Sequence, residues 1–353
     1  MHTIPDLMQR FPDMPKVIYV HGFPRWKWPI VRQCFAGCRT KFLAKDERVP
    51  DHSWLVLWGM APLPAGLPGD VRVLRMEDGF IRSVGLGADL VRPLSWVVDS
   101  EGIYYDASRP SDLERILATS VFDEEICSLA AHLRTQIVEA GLTKYNVGLR
   151  AWRRPAGVGK VVLVPGQVES DASLAFGAPG IRTNIGLLQA VREANPDAYL
   201  IYKPHPDVLA RLRLEGKDEQ EAHQWCDEIL TDVSIGELFR SVDEVHVLTS
   251  LAGFEALLRG NKVTCYGQPF YSGWGLTHDI IPNSRRGRTL TLDELVAGTL
   301  INYPLYLSRD GKHLISPEQA LEALLSWRET TGGLPPWWQG LFRIVLRRVG
   351  GVR

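Results

Sequence analysis

The sequence predicts an α/β protein built from two successive doubly wound units with a cleft between them. Three observations predict it. Short apolar runs alternate with amphipathic stretches, the pattern of parallel β–α units. That alternation halts at Arg153-Arg154-Pro155-Ala156-Gly157-Val158-Gly159, a Pro-, Gly- and Arg-rich linker, and then begins afresh. The 353 residues also suit two domains of ordinary size. Open sheets of this kind hold ligands beyond the carboxyl ends of their strands, so both units are expected to turn those ends toward the cleft.

In the first unit, residues 1–152, strands are expected at 16–20, 53–58 and 71–75, with a helix at 28–43. A loop-rich passage at 77–87 follows. Trp96-Val97-Val98-Asp99 and Gly102-Ile103-Tyr104-Tyr105 read as a hairpin, and helices follow at 112–119 and 123–140. The second unit, residues 158–310, is expected to run strand 160–164, helix 184–194, strand 199–203 and helix 234–240. It continues as strand 244–248, helix 251–259 and strand 262–266. Closing helices and a basic aromatic tail occupy 311–353.

Composition excludes several classes of function. Lys and Arg number 40 against 41 Asp and Glu, a net charge of -1 that supplies no field to hold nucleic acid. The five cysteines (Cys34, Cys38, Cys127, Cys226, Cys265) are too scattered for a disulfide scaffold. No second ligand pair stands at zinc spacing from Cys34 and Cys38, so no metal is expected and a reducing, cytoplasmic compartment is. The N-terminus has no secretory pattern, and no uncharged apolar run approaches 18 residues. The tail is different. With Trp337, Trp338, Arg343, Arg347 and Arg348, residues 335–353 read either as a helix lying on an inner-leaflet membrane surface or as a closing helix packed on the domain.

Five segments carry chemistry. After strand 160–164, Pro165-Gly166-Gln167-Val168-Glu169-Ser170-Asp171-Ala172-Ser173 sets Gln167, Glu169 and Asp171 at the carboxyl end of a buried strand. Closely spaced carboxylates there would split their pKa values, while capping of a following helix by Asp171 or Ser173 is the commoner use. In Tyr202-Lys203-Pro204-His205-Pro206, two prolines pin an imidazole beside a lysine, an arrangement suited to holding a phosphate or protonating a leaving group. Val247-Leu248-Thr249-Ser250-Leu251-Ala252-Gly253-Phe254-Glu255 turns from strand to helix. Its free N–H groups and hydroxyls form an anion site, and Glu255 stands where it can meet ribose hydroxyls or simply complement the helix dipole. Glu77-Asp78-Gly79-Phe80 ends a strand on the opposite wall, where an acid pair suits glycosyl chemistry and a solvated Asp-Gly turn is equally in keeping. Finally, Gly267-Gln268-Pro269-Phe270-Tyr271-Ser272-Gly273-Trp274-Gly275 interleaves aromatics with glycines. With Thr249 it is expected to form a phosphate and sugar wall through Tyr271 and Trp274.

Taken in order, these segments resemble the capsule polysaccharide β-Kdo transferases, over roughly residues 71–279. These enzymes add 3-deoxy-D-manno-octulosonate (Kdo) from CMP-Kdo, and members often carry two catalytic modules in tandem; this chain has the length of one. The resemblance implies two Rossmann-like domains in a glycosyltransferase-B arrangement, retention of anomeric configuration, and no metal or other cofactor. It also implies roles. Asp171 is the nucleophile, Glu77 the acid/base, and His205 the group that escorts the phosphate. Gln167, Lys203, Ser250, Ala252, Gly253 and Glu255 bind the donor. The partners it implies are CMP-Kdo and a glycolipid or Kdo-oligosaccharide acceptor. An inverting nucleotide-sugar transferase or epimerase on the same architecture, or a non-catalytic sugar- or nucleotide-binding assembly module, is the competing reading.

Overall fold

The computed structural model describes residues 6–44, 47–81, 93–143 and 150–331. Residues 82–87 of the 77–87 loop and the whole of the 335–353 tail lie outside them. The first half supplies strands β1 (Val17–His21), β2 (Arg39–Phe42), β3 (Trp54–Trp58), β4 (Arg72–Asp78) and β5 (Ser95–Asp99). The second supplies β6 (Val161–Pro165), β7 (Tyr199–Lys203), β8 (Glu228–Ile229), β9 (Glu244–Val247), β10 (Lys262–Cys265) and β11 (His278–Asp279), followed by β12 (Pro304–Leu307) and β13 (Leu314–Ile315). Helices stand at Asp112–Thr119, Glu124–Glu139, Asn184–Ala194 and Leu251–Leu258, close to where their apolar periodicity and caps place them. No helix among the described residues is long and apolar enough to cross a membrane.

The second sheet has six strands in the order β11-β10-β9-β6-β7-β8, all parallel. From β6 the chain winds outward through β7 and β8, then returns to wind the other way through β9, β10 and β11. This is the doubly wound Rossmann order, and its direction reverses between β6 and β9. Every residue of β6 is buried, as expected of a central parallel strand covered on both faces. The first sheet has seven strands, β13-β12-β5-β4-β3-β1-β2, and is mixed. Strands β2, β1, β3 and β4 are parallel, whereas β5, β12 and β13 join antiparallel.

Three elements differ from the sequence expectation. The 28–43 helix stops at Cys34, and Arg39-Thr40-Lys41-Phe42 becomes edge strand β2 with an alternating exposed and half-buried pattern. Four residues of period two are too few to stand out beside a helical run. The 96–105 hairpin does not form, because Gly102–Tyr105 is a turn. The Asp99 carboxylate accepts the N–H groups of Glu101 (3.0 Å) and Gly102 (2.8 Å) and folds the chain away. Lastly, β12 leaves the second unit, where residues 304–310 were expected, and pairs with β5 in the first sheet. Tyr303 secures this return by donating its hydroxyl to Asp99 at 2.8 Å. Asp99 is buried, and that burial raises its carboxyl above the ordinary range.

One apolar cluster runs through both halves, joining Phe80, Leu94 and Val97 to Val161, Val245, Phe254 and Phe270. The Phe80 ring lies 4.6 Å from Phe270 and 4.8 Å from Tyr104. Burying each such ring contributes about 1.5–3 kcal/mol, so the floor between the sheets is packed core. Glu114 adds a clamp across the halves, with Arg285 at 2.6 Å and Arg286 at 2.9 Å.

Candidate active site

A cleft of about 490 Å³ opens above that floor, walled by loops at the carboxyl ends of both sheets. From the first half come Trp58, Glu77, Asp78, Phe80, Tyr104 and Tyr105. The second half contributes the turns after β6, β7 and β9, together with Pro269 and Phe270. The β6 and β9 turns flank the reversal point of the second sheet, where a doubly wound fold leaves a crevice.

Three helices begin on this wall, and each is capped by a side chain singled out in the sequence. Asp171 accepts the Ser173 N–H at 2.9 Å and starts helix Ala172–Gly177. His205 Nδ1 accepts the Asp207 N–H at 3.2 Å and starts Pro206–Leu209. Ser250 Oγ accepts the Ala252 N–H at 3.2 Å and starts Leu251–Leu258. Capping and cleft lining are therefore not alternatives, since Asp171, His205 and Ser250 do both. For the imidazole the cap sets the tautomer: with Nδ1 accepting, the neutral ring carries its proton on Nε2. Asp171 is exposed to the cleft rather than buried under the helix that it caps.

Lys203, at the end of β7, is buried, and desolvation lowers its ammonium to about 8 against the opposing pull of Asp232. Glu77, at the end of β4, accepts the Asp78 N–H at 3.0 Å through Oε1 and faces the Tyr105 hydroxyl at 3.4 Å through Oε2. Burial, and then the charges of Glu77, Tyr104 and Asp171, push the Tyr105 phenol upward, so Tyr105 stays neutral between the two carboxylates. The neighbouring Asp78 is paired with Lys27 at 3.1 Å, and that ammonium lies 3.0 Å from the centre of the Trp58 ring. Glu255 is buried one turn into its helix and lines the cleft.

Other expected site residues have a different place. Gln167 lines the cleft, but its side chain latches β6 to β9. Its Nε2 donates to Thr249 Oγ1 at 3.0 Å, and its Oε1 accepts the Thr249 N–H at 2.9 Å. Thr249 thus spends its hydroxyl and N–H on the same latch while still lining the cleft. Tyr271 and Trp274, expected on the wall, are fully buried in the core. The Tyr271 hydroxyl donates to the Ser250 carbonyl, and Trp274 Nε1 donates to the Phe270 carbonyl at 2.9 Å. Gly253 is absent from the lining too. It makes room for Tyr271, whose hydroxyl a Cβ at this position would strike. Phe270 supplies the aromatic wall instead. Sequence reasoning also missed Tyr105, read as strand, and Arg213, which belongs to none of the five segments; the only signal for Arg213 is its place downstream of the pinned histidine. Among the described residues, no three His, Cys, Asp or Glu side chains group as metal ligands would.

Comparison with known proteins agrees with this architecture. Two solved structures from Thermosulfurimonas dismutans are similar. The KpsC β-Kdo 2,7 transferase has a TM-score of 0.72 and 41% identity, over 88% of this chain and 99% of that one. The KpsC β-Kdo 2,4 transferase has a TM-score of 0.74 and 30% identity, over 87% and 97%. Among curated relatives, the capsule polysaccharide modification protein LipA of Neisseria meningitidis serogroup B is 43% identical over 318 residues, which is 87% of this chain and 45% of LipA. The chain thus spans about half the length of that relative. The lipopolysaccharide-processing protein LpsZ of Rhizobium meliloti is 39% identical, over 83% of this chain and 71% of LpsZ. The family model described as capsule polysaccharide biosynthesis protein matches residues 67–151 and 153–306, which takes in β4 with Glu77 and all the turns of the second sheet that wall the cleft. The chain belongs to the capsule polysaccharide biosynthesis family.

Proposed function

We propose that this chain is a retaining β-Kdo transferase that moves Kdo from CMP-Kdo to a lipid-linked Kdo or glycan acceptor, for the linker of a capsule polysaccharide. One observation carries the reading. Two carboxylates from different halves, Asp171 and Glu77, line a single cleft with a pinned imidazole, a buried lysine and a helix N-terminus. The kinship with two β-Kdo transferases supports the choice of sugar. On this reading the sheets are the acceptor and donor lobes of a glycosyltransferase-B arrangement. Residues 335–353 hold the enzyme at the inner-leaflet surface.

The chemistry runs in two displacements. Asp171 attacks the anomeric carbon of Kdo, forming a carboxylate–sugar bond as the bond to the CMP phosphate oxygen breaks. CMP leaves with that electron pair, and Lys203, His205 Nε2–H and the N-terminus of Leu251–Leu258 offset its charge without a metal. Glu77 then takes the proton of the acceptor hydroxyl, whose oxygen attacks the same carbon and releases Asp171. Glu255 holds the cytidine ribose.

NMR of the product decides the stereochemical part of this reading. The newly added Kdo is expected to keep the anomeric configuration that it had in the donor, and an inverted product would contradict the double displacement.

A second expectation concerns pH. Lys203 holds an anion only while protonated, and burial places its titration near 8. Donor kcat/KM should therefore be flat below that pH and fall about tenfold per unit above it. In Lys203→Arg the guanidinium remains charged throughout, so the alkaline limb should disappear. A wild-type profile flat to pH 10 would remove Lys203 from the donor site.

A further inference from the structure

Arg213 lines the same cleft yet belongs to none of the segments that marked the site. Its loop is anchored at both ends. Past helix Pro206–Leu209, the N–H groups of Leu212 and Arg213 both donate to the Asp207 carbonyl, at 2.8 and 3.2 Å, around a left-handed Arg211 (φ 57°). Further on, the Gly216 N–H donates to Glu219 at 2.7 Å and the Lys217 N–H donates to Glu169 at 2.9 Å. The other oxygen of Glu169 accepts the Asn184 N–H at 2.8 Å. Glu169 thus couples the loop that bears Arg213 to the turn that bears Asp171.

The guanidinium itself is unclaimed. Arg192 pairs with Asp227 and Arg240 with Glu237, whereas no described carboxylate pairs with Arg213. An exposed arginine on a mobile loop would mean little, but this one is held at the mouth of a cleft by two buttressed turns. The proposed reaction also leaves a charge unmatched. Lys203, His205 and the helix N-terminus serve the phosphate, whereas an octulosonate also bears a carboxylate at its anomeric carbon. A planar guanidinium matches a carboxylate with two parallel hydrogen bonds, which an ammonium cannot do.

We propose that Arg213 forms a carboxylate subsite that binds the octulosonate carboxylate of a sugar in the cleft. This rests on the reading of the cleft as a Kdo site. The carboxylate belongs either to the donor sugar or to a Kdo at the acceptor end, and kinetics separates the two.

The test compares wild type, Arg213→Ala and Arg213→Lys, using CMP-Kdo with a Kdo-terminated acceptor and with the same acceptor carboxyl-reduced to an alcohol. Arg213→Ala is expected to lose about ten- to a hundredfold in kcat/KM, with partial recovery in the lysine variant. The affinity for CMP, which has no carboxylate, should be unchanged by calorimetry. A loss that resides in acceptor KM and vanishes with the reduced acceptor assigns the subsite to the acceptor. A loss that resides in donor KM and persists with the reduced acceptor assigns it to the donor. Kinetic constants within twofold of wild type, or a parallel fall in CMP affinity, would overturn the subsite. Saturation-transfer NMR of free Kdo against its carboxyl-reduced analogue supplies a readout without turnover. Carboxylate-dependent binding that is lost in Arg213→Ala supports the subsite even where no transfer occurs. Equal binding by wild type and variant refutes it even where transfer is normal.

Discussion

Asp171→Asn is expected to lose transfer by roughly ten-thousandfold in kcat/KM while the protein folds as before. The size follows from the role. An amide cannot form the ester-like bond to the anomeric carbon that the double displacement requires. The intact fold follows from the cap. Asn is as good as Asp at a helix N-cap, so the bond from the Ser173 N–H to the side chain survives and helix Ala172–Gly177 still starts. Asp171→Ala mixes two effects, because loss of the cap costs about 0.5–2 kcal/mol in addition to the chemistry. Thermal melts beside a transfer assay separate them. Asn should match wild type in melting and fail in transfer; an active Asn variant would leave Asp171 as a cap and nothing more.

Glu77→Gln is expected to stop the second half of the reaction while sparing the first. Departure of CMP needs no base, so the variant should release one equivalent of CMP per enzyme in a burst and then stall. Acceptor-dependent turnover should fall by about a hundred- to ten-thousandfold, the range for losing a positioned base. Gln keeps the shape and an oxygen for the Asp78 N–H, which Glu77 accepts at 3.0 Å, so the β4 terminus should stay in place. Rapid-quench measurement of CMP reads both phases. Steady turnover at the wild-type rate would remove Glu77 from the chemistry, and the absence of any burst would place it in the first step instead.

How much of this was legible in the sequence depended on how local the cause was. Asp171, His205 and Ser250 were visible because a strand, a turn and a cap are decided within a few residues. Their dual use as caps and cleft lining was not, since a cap pattern does not show where the rest of a side chain points. The aromatic loop misled for the opposite reason. Its glycines suggested an open wall, yet Gly253, on another segment, is what lets Tyr271 sink into the core. Long-range pairing was hidden as well. Nothing near Pro304–Leu307 announces that its partner is β5, about 200 residues earlier, and the Tyr303 to Asp99 bond that helps to seat it joins residues equally far apart. Gln167 was placed at the carboxyl end of a buried strand and read as a donor-binding residue, but its partner Thr249 lies 82 residues away, so its service as a latch had no local trace.

The account stands most directly on a covalent bond between protein and sugar. Glu77→Gln incubated with CMP-Kdo without acceptor, denatured and weighed intact, should be heavier by one Kdo residue, and peptide mapping should place that mass on Asp171. An unmodified mass from a variant that still releases CMP, or an adduct carried by another residue, would contradict the proposed nucleophile.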